Sequence, residues 1–198
     1  STRLGFAFTE PLIWPPLVEA VTYAEDRGIK TAITTNGLTL DSLAEPLSDA
    51  GLSDLYLSLD GTAAIHDRIR GLLGAFDRAI RGVEAMLHRS RRPEISIFCV
   101  ITPWNIEDLE PFLEEMADLP LKSLRFMHTN FTTQDVAEHH NARWGKTYPA
   151  TPSNVGPFDP QAMDLPKLLD VVSQLKTCST PFEVVFSPNL ETLEELDR

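Results

Sequence analysis

Short apolar runs of strand length alternate with amphipathic helical stretches along the chain, and this alternation constrains the fold more than any other feature of the sequence. The strand candidates are Leu4–Phe8, Lys30–Thr34, Leu55–Leu59, Glu94–Ile101, Leu124–Met127 and Phe182–Phe186. Between them, Leu17, Val18, Val21 and Ala24 share one helical face after the Pro15-Pro16 start signal, and Gly28 ends that helix. A short helix over Leu43–Ala50 closes at Gly51. A longer one from Gly74 carries Phe76, Ile80, Val83 and Leu87. Leu109, Phe112, Leu113 and Met116 form another stripe, Leu168–Leu175 another, and the chain stops in an apparent helix from Glu191 to Arg198.

Strands that alternate with helices of this length are joined by right-handed crossovers into a mostly parallel sheet, which makes the class α/β. A closed eightfold barrel takes about 250 residues, so 198 residues that include a long polar stretch point to a partial barrel, with a doubly wound sheet as the alternative. The whole of residues 1–198 reads as one barrel-like domain. Residues 129–166 are too long for an ordinary connection and carry Trp144 and Tyr148, so they read as a lid or substrate-facing insertion.

Composition excludes several functions. With 17 basic and 29 acidic side chains the net charge is −12, which argues against a nucleic-acid footprint. The dense basic run Arg89–Arg92 falls between a helix and the next strand, at the amino end of the sheet, and reads as a solvated turn. No apolar run approaches the roughly 20 residues that a bilayer needs, and no leader precedes the first strand; a cytoplasmic protein without membrane contact is the expectation. Cys99 and Cys178 are the only cysteines, in no metal-ligand spacing. Asp60, His66, Asp67 and His128 could be assembled into a metal site, but His-x-x-x-His is absent, and His139-His140 read as solvated loop residues. Gly-x-Ser-x-Gly and the phosphate-cradling Gly-x-x-x-x-Gly-Lys are also absent. Gly71-Leu-Leu-Gly74 follows no strand directly and reads as a turn opening a helix, which disfavours a nicotinamide enzyme.

In a parallel α/β fold, ligands bind beyond the carboxyl ends of the strands. The residues there read Thr9-Glu10-Pro11, Thr34-Thr35-Asn36-Gly37, Ser58-Leu59-Asp60-Gly61, Thr102 to Asn105, His128-Thr129-Asn130 and Ser187-Pro188-Asn189. Hydroxyls, amides and carboxylates converge at one end. Some of these cap the helices that follow; six strand ends of the same character together indicate a ligand site.

The wording of these segments, Phe6-Ala-Phe8-Thr9-Glu10-Pro11, Thr34-Thr-Asn-Gly37, and Ser58-Leu-Asp-Gly61 with His66-Asp67-Arg68-Ile69-Arg70-Gly71 and Phe76, resembles the radical S-adenosylmethionine superfamily from about Leu4 to Asn130. The resemblance implies a (β/α)6 partial barrel, here lacking its first strand. It also implies a four-iron, four-sulfur cluster that reduces S-adenosylmethionine, yielding a 5′-deoxyadenosyl radical that abstracts hydrogen from a peptide or small-molecule substrate. An electron donor for the cluster would be a partner.

Glu10 then matches the carboxylate that receives the amino group of S-adenosylmethionine. Thr34, Thr35 and Asn36 match the strand end near the cofactor, Ser58 and Asp60 the positions approaching its ribose and methionine moieties, and Arg70 an arginine that holds the methionine carboxylate. Thr102 and Asn105 would face the adenine, and His128, Thr129 and Asn130 would meet the substrate. The chain departs from the family pattern in two places. Phe8-Thr9 stands where Gly-Gly is usual, and the loop Cys-x-x-x-Cys-x-x-Cys that binds the cluster is absent, because the chain starts where the second strand is expected. The cluster ligands are therefore expected upstream and the fragment itself inactive. A cluster-less binding module on the same barrel is the alternative, and a metal-dependent hydrolase a third reading.

Overall fold

A computed structural model describes residues 2–7, 9–128, 132–153, 163–189 and 192. Six strands form one parallel sheet: β1 (Arg3–Phe6), β2 (Lys30–Thr35), β3 (Asp54–Ser58), β4 (Glu94–Ile101), β5 (Ser123–His128) and β6 (Glu183–Ser187). Helices α1 (Leu17–Glu25), α2 (Leu40–Asp49), α3 (Ala63–Arg70), α4 (Ala75–Leu87), α5 (Leu109–Met116), α6 (Gln134–Trp144) and α7 (Leu165–Thr177) lie in the connections, and a 3₁₀ turn spans Pro11–Ile13. All six strand candidates are strands. The apparent helix at Glu191–Arg198 lies outside the described residues.

The spatial order of the strands is their order in the sequence. Right-handed crossovers that always step in the same direction put every helix on one face, whereas a doubly wound sheet needs a reversal. The fold is therefore of the partial-barrel type. Register shows the two faces directly. Leu57, Ile97 and Leu124 stand side by side in adjacent strands, as do Cys99, Phe126 and Phe186. These side chains are buried, and with Leu17, Val21, Leu40, Leu47, Val83, Met86, Phe112, Leu113 and Val172 of the helices they make the core.

The alternate positions form a second face, and it is polar. Thr34, Tyr56, Ser96 and Ser123 stand in one row, and Ser58, Phe98, Arg125 and Val185 in the next. At its amino end Asp54, 2% exposed, is paired with Arg3 at 2.7 Å and lies 3.8 Å from Lys122, which also bonds Glu94. A parallel sheet normally buries aliphatic side chains on both faces; a polar second face is what the inside of a ligand-holding barrel requires.

Sequence periodicity leaves out two of the helices. α3 buries only His66, and α6 buries only Ala137. Without a long apolar stripe, α6 depends on its ends: Thr133 Oγ1 accepts from Val136 N at 3.3 Å, and Asn141 exchanges two hydrogen bonds with Ala150. The segment closes on itself where Ser153 N donates to Thr132 O at 2.9 Å and Thr132 N to Ser153 Oγ at 2.8 Å. His140, read as a solvated loop residue, sits in α6 with Nε2 2.7 Å from Tyr148 O. The basic run lies at the amino end of β4, with Arg89 paired to Glu45 at 3.3 Å. No helix among the described residues is long and apolar enough to cross a membrane.

Candidate functional site

Because all six strands are parallel, their carboxyl ends share one edge of the sheet, and two acidic residues organise that edge. Glu10 follows β1 and caps the 3₁₀ turn: Oε1 accepts from Leu12 N at 3.0 Å and from Thr35 Oγ1 at 2.6 Å, while Oε2 accepts from Asn36 N at 2.8 Å. An ionised carboxylate offers about four acceptor positions, so these three contacts leave Oε2 with one more to fill. The hydroxyl at the end of β2 that holds Glu10 belongs to Thr35. Thr34, by the alternation of the strand, faces the polar side in register with Tyr56. Asn36 acts through its backbone, and its Oδ1 accepts from Leu38 N at 3.0 Å.

Asp60, after β3, is 5% exposed. Its Oδ2 accepts from Arg70 Nε at 2.6 Å. Its backbone N–H donates to His66 Nδ1 at 3.1 Å, and the same ring nitrogen lies 3.4 Å from Oδ2. Burial alone would push the Asp60 carboxyl up; contact with His66 and the charge of Arg70 outweigh it and hold the group below the usual carboxylate range. The guanidinium is over a third exposed and meets Asp60 through Nε, so among the described residues its two terminal nitrogens are available to another acceptor. Ser58, half-buried at the end of β3, faces the polar side.

A carboxyl whose folded pKa is depressed stabilises the fold fully above its unfolded value, about 3.9, and loses that contribution as pH falls through the folded value. Urea unfolding of Asp60→Asn is therefore expected to lose less stability than the parent chain between pH 5 and pH 2. Parallel losses would show that Asp60 carries none of the acid sensitivity.

The loop after β4 holds Asp60 in place. Asn105 is fully buried; Nδ2 donates to Asp60 O at 2.7 Å and to Val100 O at 2.8 Å, and Oδ1 accepts from Thr102 N at 2.7 Å and Thr102 Oγ1 at 3.1 Å. Every polar group of this amide is spent on the protein, so its role is to staple the ends of β3 and β4 rather than to face an adenine. Thr102 shares that turn, its Oγ1 also accepting from Trp104 N at 3.3 Å. Asp108 adds a second tie, accepting from Thr62 N at 2.6 Å and Thr62 Oγ1 at 2.8 Å.

The remaining candidates are placed apart. Asp67 caps α4, accepting from Gly74 N and, at 3.0 Å, Phe76 N. His128 pairs in register with Ile101, one position past Val100, and so lies on the opposite face from Ser58 and Phe98. Its Nε2 is buried without a hydrogen-bond partner among the described residues, and burial together with the charge of Lys176 keeps the imidazole below its ordinary pKa. β3 and β5 are two strand spacings apart, about 10 Å, so Asp60, His66 and His128 do not converge on one ion. Among the described residues no group of three His, Cys, Asp or Glu side chains is placed to hold a metal. Asn130 and Thr129 lie outside the described residues.

Cys99 is buried in β4, where burial pushes its thiol well above the usual range, and Cys178 is exposed after α7. These two thiols do not fit a three-thiolate cluster loop. A hollow of about 470 Å³ opens beside β1, lined by Gly5, Phe6, Thr9, Glu10, Ile13 and Trp14. It reaches Glu10 but not Asp60 or Arg70, so the two acidic anchors share an edge of the sheet rather than one closed cavity.

With this geometry in view, the comparisons with known proteins are specific. The sequence profile of the radical SAM superfamily matches residues 2–116, more than half of the chain. Fe-coproporphyrin III synthase of Methanosarcina barkeri (strain Fusaro / DSM 804) is 32% identical over 131 residues, 65% of this chain and 32% of that protein. PqqA peptide cyclase of Ruegeria pomeroyi is also 32% identical over 131 residues, 65% of this chain and 34% of that protein. The chain thus spans about one third of the length of these curated relatives. Among solved structures, Streptococcus suis SuiB bound to S-adenosylmethionine superposes with a TM-score of 0.64 at 17% identity, covering 93% of this chain and 39% of that one. At that identity the likeness is one of fold.

Proposed function

The chain belongs to the radical SAM superfamily, and from that premise we propose that it is the barrel core of an enzyme that uses S-adenosylmethionine to modify a small molecule or peptide, with Glu10 and Arg70 holding the amino-acid head of that cofactor. One observation carries the reading: a carboxylate with one acceptor position left and a guanidinium that meets its own partner only through Nε stand at the same edge of the sheet. The head of S-adenosylmethionine is a zwitterion. An ammonium suits the open position on Glu10, and a carboxylate suits the fork of Arg70.

Each group's part follows from its surroundings. Thr35 and Asn36 fix the Glu10 carboxylate, and Asp60 orients Arg70 while Asn105 holds Asp60. Ser58 offers a hydroxyl to the ribose side and Thr34 lies below it on the polar face. His128, expected to meet the substrate, is a distal candidate because its register turns it to the helix layer, and Asn130, expected to do the same, lies outside the described residues. In this superfamily a 4Fe-4S cluster supplies the electron that cleaves S-adenosylmethionine, and an external donor recharges it. The residues of this chain do not fit that cluster, so its thiolates come from outside these 198 residues and the chain alone turns nothing over. PqqA peptide cyclase and SuiB bound to its precursor peptide SuiA support a peptide, and Fe-coproporphyrin III synthase a small molecule, as the class of substrate.

The experiment is to express the longer protein encoded around this chain, reconstitute it with iron and sulfide, and assay 5′-deoxyadenosine. Three cysteines in Cys-x-x-x-Cys-x-x-Cys spacing and release of the nucleoside are expected; an upstream sequence without that triad overturns the enzyme reading. The misfit of Cys99 and Cys178 favours one other reading, a cluster-less module that binds a peptide on the same barrel, and that result would select it.

A further inference from the structure

The polar face of the sheet carries a cation that the cofactor reading does not use. Other charges near it are paired: Arg3 and Lys122 with Asp54 and Glu94 at the amino end, and Arg70 with Asp60 at the carboxyl edge. Arg125, in the middle of β5 and half-buried, has no carboxylate partner among the described residues. Its Nε donates to Ser123 Oγ at 3.2 Å, and Ser123 Oγ donates to the buried Ser96 Oγ at 2.9 Å. This relay fixes the plane of the guanidinium and, among the described residues, leaves the paired terminal nitrogens as its open edge. That edge presents two parallel N–H groups, the geometry a carboxylate accepts in bidentate fashion.

What lies beside Arg125 is as informative. Phe98 is its direct neighbour in register, and Phe98 stacks on Tyr56 with centroids 4.9 Å apart and planes 18° from parallel. The Tyr56 hydroxyl accepts from Arg3 NH1 at 3.0 Å, which locks the inner ring. Both rings are half-buried rather than sealed into the core, which lies on the other face. Ser58 completes the row on the far side of Phe98 and stands at the cofactor edge. A fixed fork, a flat apolar platform and the cofactor edge therefore follow one another across three adjacent strands, each about 4.8 Å from the next.

We propose that Arg125 is a substrate-anchoring residue that binds a carboxylate, with a flat apolar portion of the same molecule lying on Phe98 and Tyr56. The inference rests on the reading of the chain as the core of a substrate-modifying barrel, and it narrows the substrate to a carboxylic acid with an aromatic or conjugated portion. A half-buried cation without a counter-ion is costly to maintain, and a substrate that brings the counter-ion is selected over neutral analogues by that same cost.

The test uses the ¹⁵N-labelled chain and benzoate, with benzamide as the neutral isostere and acetate as the acid without a ring. The Nε–H of Arg125 is protected by Ser123 and is identified by its loss in Arg125→Lys. Benzoate is expected to shift that resonance and the backbone amides of Phe98 and Ser123 saturably, with a dissociation constant of order 1 mM as one charged fork and one stacked ring yield together, and the amides are the readout in variants that lack the Nε–H. Benzamide and acetate should bind at least tenfold more weakly, and Arg125→Gln should abolish saturation by benzoate. Arg125→Lys, which keeps the charge and the bulk, should retain a weaker response and so separate loss of the fork from loss of the fold. Equal shifts with benzamide, or benzoate binding unchanged by Arg125→Gln, overturn the proposal. S-adenosylmethionine binding by the parent chain is measured alongside: cofactor binding with no benzoate binding sinks the anchor alone, and benzoate binding without cofactor affinity sinks the cofactor reading alone.

Discussion

Replacing Asn105 with leucine is expected to lower unfolding stability by about 3–5 kcal/mol, the sum for several buried polar groups left unpaired at about 1–3 kcal/mol each. The wild-type amide makes four hydrogen bonds to nitrogen and oxygen atoms, and a longer one to Cys99 Sγ, in a site with no exposure. Leucine fills a similar volume but strands the carbonyls of Asp60 and Val100 and the N–H of Thr102. The loss extends beyond stability, because Asp60 O is one of the stranded groups and Asp60 carries Arg70. Urea midpoints at unchanged m measure the effect. A loss under about 1 kcal/mol, the centre of the range for all point substitutions, would show that the loop after β4 does not hold β3 in place.

Gly37→Ala is the second large effect, expected at about 2–5 kcal/mol from a left-handed backbone penalty plus overpacking. Gly37 has φ +77°, and a Cβ there would meet Leu57 Cδ1 at 2.6 Å and Ala79 Cβ at 2.9 Å. Leu57 is in the middle of the sheet and Ala79 on α4, so neither side yields without moving a packed element. Gly37 N also donates to Thr35 Oγ1 at 2.9 Å, the hydroxyl that in turn donates to Glu10. The variant is thus expected to weaken both folding and whatever Glu10 holds. Thermal unfolding reads the first; a midpoint within a degree or two of the parent would contradict the close packing.

What was legible in the sequence divides along physical lines. The strands were plain because each is a run of apolar residues bounded by turn chemistry, and a parallel sheet repeats that pattern at every crossover. α3 and α6 were hidden because they bury one residue each, so no apolar stripe marks them. The strand-end polar residues are legible as a group in the sequence, but their division of labour is not. Asn105 reads like Ser58 on the page, but one is sealed inside a loop and the other faces the polar side. Thr34 and Thr35 are adjacent, and only the pleat decides that Thr35 meets Glu10.

His66 and Asp67 resembled metal ligands by type; in the structure one is a buried ring against the Asp60 amide and the other a helix cap. Arg125 carries a signal in the sequence as well. Within β5, Ser123, Arg125 and Met127 alternate with Leu124 and Phe126, a period of two in which the polar set must share a face. The same alternation in β3 and β4 exposes Tyr56, Ser58, Ser96 and Phe98 as one surface.

The account stands or falls on whether Glu10 and Arg70 grip one zwitterion, and titration calorimetry of this chain with S-adenosylmethionine and with 5′-methylthioadenosine, which keeps the nucleoside but lacks the amino-acid head, tests it most directly. S-adenosylmethionine is expected to bind at least tenfold more tightly, a difference of about 1.4 kcal/mol, and the advantage should vanish in the Glu10→Gln, Arg70→Gln double variant. Equal affinity for the two compounds in the parent chain, or an advantage that persists in the double variant, would contradict it.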